Sequence, residues 1–338
     1  MSAPKNRDVR LIRRPSGLPG SADFELAESP IPSPLPGQVL VRNLFMSVDP
    51  YMRGRMSDRK SYAAPYQLGE TMTGGAVGRV VSGNDRFAAG DHVVSQNGWR
   101  EWFVSDGDDL RKVDVSLAPA EAYLGVLGMT GLTAYAGLTR IGGLKPEDRV
   151  FVSAAAGAVG SVACQIALAM GCEIVAGSAG TDEKCAWLKQ LGVRDAINYR
   201  ETDDLAAAVA EAMPSGIDLA FENVGGAHLE AALANMREQG RMLICGLIDQ
   251  YNSPAPPPGP RNLVLVLARR LTVRGFLVLD HFDLMERFRE DMSRWLAEGK
   301  IKTRQTVVEG IENATAAFTG LFHGNNIGKM LVKLSDDG

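Results

Sequence analysis

Four cysteines and four histidines are few for 338 residues. Cys164, Cys172, Cys185 and Cys245 all fall in the second half of the chain, and no two form a C-x-x-C pair. His92, His228, His281 and His323 are equally scattered. A zinc site needs clustered Cys or His ligands, and a disulfide framework belongs to small secreted chains with patterned cysteines. Neither is expected here, and the four thiols read as free and buried. A basic block is also missing. Lys and Arg number 36 against 40 Asp and Glu, for a net charge of −4, so nucleic acid is not indicated as a partner. The longest apolar runs fall short of a membrane span. The N-terminal MSAPKNRDVRLIRRP carries charge with no apolar core behind it, so it does not read as a secretory signal. These deficits point to a cytoplasmic protein. With 45% hydrophobic and 22% charged residues the balance is that of an ordinary globular chain, and the length suggests two domains.

What is present is organised around Asp148–Gly171, DRVFVSAAAGAVGSVACQIALAMG. An apolar strand, a small-residue turn and an apolar helix are followed at once by a second apolar run, CEIVAGSA. This is the order of a dinucleotide-binding βαβ unit. The turn must be small, because a pyrophosphate reaches the helix N-terminus only if no side chain stands over the backbone N–H groups. Ala155, Gly157 and Gly160 occupy the places of the usual three glycines, so the first place departs from the strict fingerprint.

Upstream, residues 1 to about 122 read as β-rich, with short runs beginning near Phe24, Gly37, Gly74, Asp91 and Trp99 separated by Gly, Pro and Asp. Glu28–Gln38 is too proline-rich for a central strand. Ser47–Tyr66 has no helical period and reads as a long loop holding Tyr51, Arg53, Tyr62 and Tyr66; a loop of that length is uncommon unless functional. From about 123 to 300, strands near 150, 173, 196, 219, 242 and 271 alternate with helices, which predicts a doubly wound parallel sheet of Rossmann type. Phe282–Lys300 reads as an amphipathic helix whose Met285, Phe288, Met292 and Trp295 face a core. Residues 301–338 carry two more strands and a short helix, expected to return to the first domain.

The end of the second strand, Ala176 to Gly180, has no carboxylate. NAD sites place an acidic side chain there against the ribose hydroxyls, so its absence leaves room for a 2′-phosphate and favours NADP. Lys184, just beyond, would neutralise that phosphate, or is a solvated helix charge behind an N-cap at Thr181 or Asp182. Asp182 and Glu183 are ordinary in a first helical turn, though discordant beside a phosphate.

The ordered segments GMTGLTAY, AAAGAVG, GTDEK, FENVGG, ICGLIDQYN, PPGPRNL, RGFLV and GNNIGK span nearly the whole chain. In these the sequence resembles the zinc-independent medium-chain dehydrogenase/reductases, and among them the prostaglandin reductase, leukotriene hydroxydehydrogenase and curcumin reductase group. The resemblance implies a GroES-like barrel domain beside the Rossmann domain, with NADP(H) as cofactor. It implies that Gly157, Ala158, Val159 and Gly160 cradle the pyrophosphate, and that Ser178, Lys184 and Tyr199 meet the adenosine end. Asn223 would lie along the cofactor, the segment from Cys245 and Gly246 to Tyr251 and the stretch Phe276, Leu277 and Val278 would flank the nicotinamide, and Asn326 would reach it from the C-terminal part. Tyr51 and Tyr251 would face the substrate. Where zinc relatives carry a Cys and a GHE motif, this chain has SVDPY and Gly69-Glu70-Thr71, and it has no four-Cys lobe, so metal-dependent alcohol oxidation is not expected. Thr130 stands where relatives often carry Pro.

The implied reaction is metal-free reduction of the double bond of an apolar enone or enal. Hydride goes to the β-carbon, and phenol donors such as Tyr51 or Tyr251 meet the charge that develops on the carbonyl oxygen. A quinone reductase of the same superfamily, or an NADPH-binding protein without catalysis, are the alternatives. The resemblance also suggests a homodimer, formed through the sixth strand, LTVRGFLV.

Overall fold

The computed structural model describes residues 5–337, so the first residues of the N-terminal segment lie outside it. The chain divides into two compact units, Met1–Leu124 with Gln305–Gly338, and Gly125–Arg304.

The first unit opens with β1 (Lys5–Leu11), which pairs antiparallel with β2 (Phe24–Pro30). The charged N-terminal segment is therefore a strand. Arg7 and Arg10 pair with Glu101 and Asp8, while Val9 and Leu11 are buried. Next come β3 (Val39–Ser47), α1 (Met52–Arg55), β4 (Ala76–Ser82), β5 (His92–Ser95), β6 (Trp102–Ser105) and β7 (Arg111–Val113). The helix α1 corrects the reading of Ser47–Tyr66 as a loop without helical period. Met52 and Met56, one turn apart, are fully buried among Met46, Met72, Trp99 and Phe318, and that burial holds a turn too short for its period to be visible. Tyr66 is buried in the same core.

The second unit runs through α2 (Met129–Ala136), a π-helical turn over Gly137–Ile141, β8 (Arg149–Val152), α3 (Gly160–Ala169), β9 (Ile174–Ala179), α4 (Asp182–Gln190), β10 (Asp195–Asn198), α5 (Leu205–Ala212), β11 (Ile217–Glu222), α6 (Gly226–Asn235), β12 (Met236–Ile244), α7 (Val264–Ala268), β13 (Thr272–Gly275) and α8 (Met285–Ala297). Its six strands are all parallel, in the order β10-β9-β8-β11-β12-β13. This is the 3-2-1-4-5-6 order of a doubly wound dinucleotide fold, with the topological switch between β8 and β11. The inner strands β8, β9 and β11 are mostly apolar because helices cover both faces. The strand expected near Met242 begins earlier, at Met236. The MREQGR stretch is polar, and a register shift between Ile217 and Leu219 with Gln239 at φ 61° lets it join the sheet. On α8, Phe288, Met292 and Trp295 are buried and pack beside Tyr135.

The chain then returns to the first unit as β14 (Gln305–Glu309), α9 (Ala314–His323) and β15 (Lys329–Lys333). β14 is parallel to β15, and β15 is antiparallel to β3, which makes the larger sheet of this unit mixed. All four cysteines are free, but only Cys164 and Cys172 are buried; Cys185 and Cys245 keep part of their surface, which corrects the expectation for those two. Among the described residues no helix is long and apolar enough to cross a membrane.

Candidate functional site

The turn after β8 is built by steric exclusion. Ala154 sits at φ 47°, a left-handed conformation uncommon for a residue with a side chain. The N–H of Ala155 donates to Ser178 O at 2.8 Å and that of Gly157 to Ala154 O at 3.0 Å. A Cβ on Gly160 would collide with the Ala154 carbonyl and lie 2.8 Å from Ala155 Cα; one on Gly157 would lie 3.2 Å from Ala154 O. The N–H groups of Ala158, Val159 and Gly160 meet no acceptor among the described residues, and the first two residues are partly exposed. Three orphan donors at the positive end of a ten-residue helix make a donor set suited to an anion. The alanine at the first glycine place fits because Gly177 on the neighbouring strand is bare: a Cβ there would strike the Ala155 methyl.

One strand over, β9 ends at Ala179, and Tyr199 N–H donates to Ala179 O at 3.0 Å. The Tyr199 hydroxyl would lie 2.9 Å from a Cβ on Gly180, so the bare glycine lets the phenol close on the strand end. Thr181 caps α4, its Oγ1 accepting the Lys184 N–H at 3.3 Å. The capping role and the cationic role thus belong to different residues. Lys184 is half-buried, and its proton affinity is lowered first by burial and then by the Arg200 guanidinium. The discordant acids are engaged elsewhere, Asp182 by Asn198 at 2.8 Å and Glu183 by Arg304 at 2.8 Å. Ser178 is fully buried and its Oγ has no partner, so it supports the turn from beneath through its carbonyl.

Two residues here were missed in the sequence. Arg200 places its guanidinium 5.9 Å from the Tyr199 ring centroid, and its signal was only a basic residue following the tyrosine. His228 meets the Tyr199 ring edge-on at 4.7 Å. Its Nε2 is buried without a partner, and burial pulls its pKa down to about 4, so the imidazole is neutral. No motif in the sequence marks it.

At the switch between β8 and β11, Asn223 bridges the two strands. Its N–H donates to Ser153 Oγ at 2.8 Å and its Nδ2 to Ser153 O at 2.7 Å. Glu222, also unnoticed in the sequence, is almost wholly buried. Its Oε1 accepts the N–H groups of Val224 and Gly225, each at 2.7 Å, and its Oε2 has no partner. Burial pushes its pKa up to about 7 against that pull from the backbone. Glu222 O accepts from Cys245 and Gly246, and Asp249 N–H donates to Val224 O at 3.0 Å, so the Cys245–Tyr251 segment is laced to the end of β11. Gly246 lies against this lacing: a Cβ would be 3.3 Å from both Asn223 O and the Tyr251 hydroxyl. That hydroxyl accepts the Leu247 N–H at 3.4 Å. Phe276 packs edge-on against Phe221 at 6.2 Å, while Leu277 and Val278 lead into a short 3₁₀ turn and are partly exposed.

The second unit therefore gathers the turn, Lys184, Tyr199, Asn223, the Cys245–Tyr251 segment and Phe276–Val278 along the C-terminal side of one parallel sheet. Tyr51 and Asn326 belong to the first unit. Tyr51 is half-buried at the N-terminus of α1, and Asn326 donates to Gly328 O at 2.7 Å. Among the described residues no group of three or more His, Cys, Asp or Glu is placed to hold a metal ion.

Comparison with known proteins finds two family models. Residues 7–113 match the N-terminal domain of oxidoreductase, and residues 158–298 match the zinc-binding dehydrogenase family. The chain is 40% identical to the NADPH-dependent curcumin reductase of Escherichia coli and 40% identical to the NADP-dependent 2-alkenal reductase of Nicotiana tabacum, each match covering 98% of both chains. It superposes on the crystal structure of CurA in complex with NADPH from Vibrio vulnificus with a TM-score of 0.91 at 41% identity, covering 98% of this chain and 99% of the other.

Proposed function

The chain belongs to the zinc-independent medium-chain dehydrogenase/reductases that saturate carbon–carbon double bonds with NADPH, and from that membership we propose that it reduces α,β-unsaturated ketones and aldehydes. The observation that carries the cofactor assignment is the cradle of three unpaired N–H groups at α3, with Lys184 and Arg200 beside a strand end that lacks a carboxylate. The donor set suits a pyrophosphate at the turn and a 2′-phosphate at the strand end. Lys184 supplies a point charge, Arg200 a second, and Tyr199 a ring for the adenine side, with neutral His228 behind it. Asn223 and the Cys245–Tyr251 segment hold the other end in register, with Phe276–Val278 at its side.

Bound NADPH supplies the hydride that adds to the substrate β-carbon. As that bond forms, the double-bond electrons move onto the carbonyl oxygen, which needs a donor placed where the charge appears. The phenols of Tyr51 and Tyr251 are assigned that role, and a proton from water or a tyrosine completes the saturated product at the α-carbon. Burial raises the proton affinity of Tyr51, so it keeps its proton at neutral pH and acts as a donor.

The test is steady-state turnover of NADPH and NADH with a panel of enones and enals of graded bulk, with and without a chelator. NADPH is expected to be strongly preferred and the chelator to have no effect. Activity that required zinc and an alcohol would overturn the reading. Turnover of quinones without enone saturation would make the protein a quinone reductase, and tight NADPH binding with no turnover would make it a binding protein.

A homodimer through β13 is part of the same proposal. All four β13 residues are exposed at the end of the strand order, with Val273, Leu279 and Phe282 each more than 40% accessible. An open strand edge flanked by apolar side chains is a pairing surface. Light scattering should give a dimer mass that Val273→Glu lowers to that of a monomer. The cytoplasm is the proposed compartment, supported by four cysteines that stay free.

A further inference from the structure

A buried ammonium sits where β3 turns into α1, beside the segment that carries Tyr51. Lys329 opens β15, and its side chain is only 5% exposed. The ammonium donates to Val48 O at 3.0 Å and to Met330 O at 2.8 Å, and it pairs with Asp49 Oδ1 at 3.1 Å. All three of its hydrogens are thus engaged. The second carboxylate oxygen of Asp49 accepts the Ser47 hydroxyl. A charge is kept inside a protein only where partners surround it. Here two of the three partners belong to the stretch that leads into Tyr51.

The sheet register shows what this pair replaces. β15 runs antiparallel to β3, with Lys333 opposite Phe45, Val332 opposite Met46 and Leu331 opposite Ser47. Two residues further on, the same register would set Lys329 opposite Asp49. The ladder has ended by then, because the chain coils into α1. The N–H groups of Met52, Arg53 and Gly54 donate back to the carbonyls of Asp49, Pro50 and Tyr51 at 3.1, 3.1 and 3.0 Å. Lys329 carries through its side chain the cross-strand connection that the backbone has given up. Its own strand is firmly placed. β15 lies between β14 and β3, with Lys329 opposite Gln305, and just ahead of it Ile327 exchanges two hydrogen bonds with Thr306 Oγ1, at 2.9 and 3.1 Å.

We propose that the Lys329–Asp49 pair is a positioning device for the reduction: it fixes the Val48–Asp49 turn to β15, so that the Tyr51 phenol stands in one place when charge develops on the substrate carbonyl oxygen. The inference rests on the reading of Tyr51 as the donor to that oxygen. A donor stabilises an oxyanion to the extent that it is already in place when the charge appears, and a misplacement of about 1 Å costs on the order of a hundredfold in rate. Lys329 and Asp49 act through the backbone, and neither has to touch the substrate.

The experiment measures single-turnover oxidation of bound NADPH by an enone, with the rate expressed per NADPH bound and thermal unfolding followed separately. Lys329→Met should slow hydride transfer by roughly tenfold or more, with the Kd for NADPH within about threefold of wild type. Asp49→Asn keeps hydrogen-bonding groups toward both Lys329 and Ser47 and should retain most of the rate, whereas Asp49→Leu should lose as much as Lys329→Met. In Lys329→Met/Tyr51→Phe the loss should be no greater than in Tyr51→Phe alone. Should Lys329→Met fold poorly, Lys329→Met/Asp49→Leu leaves no uncompensated charge; it should recover stability, as apolar replacement of a buried pair does, and still react slowly. A role in folding alone would give the opposite pattern. A wild-type rate per bound NADPH in Lys329→Met or in the apolar double variant would overturn the proposal, as would full additivity with Tyr51→Phe. Intact enone reduction in Tyr51→Phe would overturn it through its premise and leave the function standing, whereas a wild-type protein inactive on every enone would overturn the proposed function itself.

Discussion

Replacing Glu222 with Gln tests whether a carboxyl group has been sealed beneath the end of β11. The side chain is almost wholly buried, and desolvation lifts its pKa to about 7 from the 4.5 of a free glutamate. The folded chain therefore binds more protons than the unfolded chain between those two values, and stability falls as pH rises through that window. Below it both states are protonated and nothing is lost; above it the cost is constant. At 1.36 kcal/mol per pH unit the full cost is about 3 kcal/mol. Gln keeps an oxygen for the Val224 and Gly225 N–H groups but brings buried N–H donors, which subtracts a pH-independent ~1–3 kcal/mol. The diagnostic is thus the slope and not the offset. Thermal unfolding of wild type and Glu222→Gln across pH 5 to 8 should show the variant gaining on wild type, by roughly 5–10 °C for a unit of this size. Parallel curves would refute the reasoning, as would a wild type that gains stability relative to the variant as pH rises.

Lys184→Ala should raise the KM for NADPH by about ten- to a hundredfold, the worth of one charge-assisted hydrogen bond, while leaving the KM for NADH within about threefold; equal effects on both cofactors would remove its phosphate role. Arg200→Ala should act in the same direction and less strongly, because its side chain is exposed. Gly160→Ala should cost about 1–3 kcal/mol of stability by overpacking and weaken NADP binding by calorimetry, because the new methyl falls on the backbone of Ala154 and Ala155; unchanged binding would mean that the turn is not the cradle.

The second unit was legible because its signals are local and periodic. Apolar runs at parallel-strand length, helices ending at Gly171 and Gly192, and a turn emptied of side chains all sit within a few residues of one another. Lys184 is legible from its place just beyond the end of the second strand, and Tyr199 only through the resemblance to the family. What stayed hidden depends on contacts between distant segments. β1 looks like a charged tail until its arginines meet Glu101 and Asp8. α1 is a single turn held by two methionines. His228 reaches Tyr199 only once α6 is laid against the sheet, and Glu222 looks like a surface acid until its neighbours exclude water.

The Ala155 methyl, on the turn after β8, and the vacant side-chain position of Gly177 on β9 share one small volume. The constraint on size is therefore in large part a property of the pair. A methyl gained at 177 strikes the one at 155 and also lies 3.0 Å from Val152 O, so glycine at 155 would remove the first contact and leave the second. A fingerprint read along a single segment sees an irregular glycine motif, where the molecule has moved the vacancy one strand over.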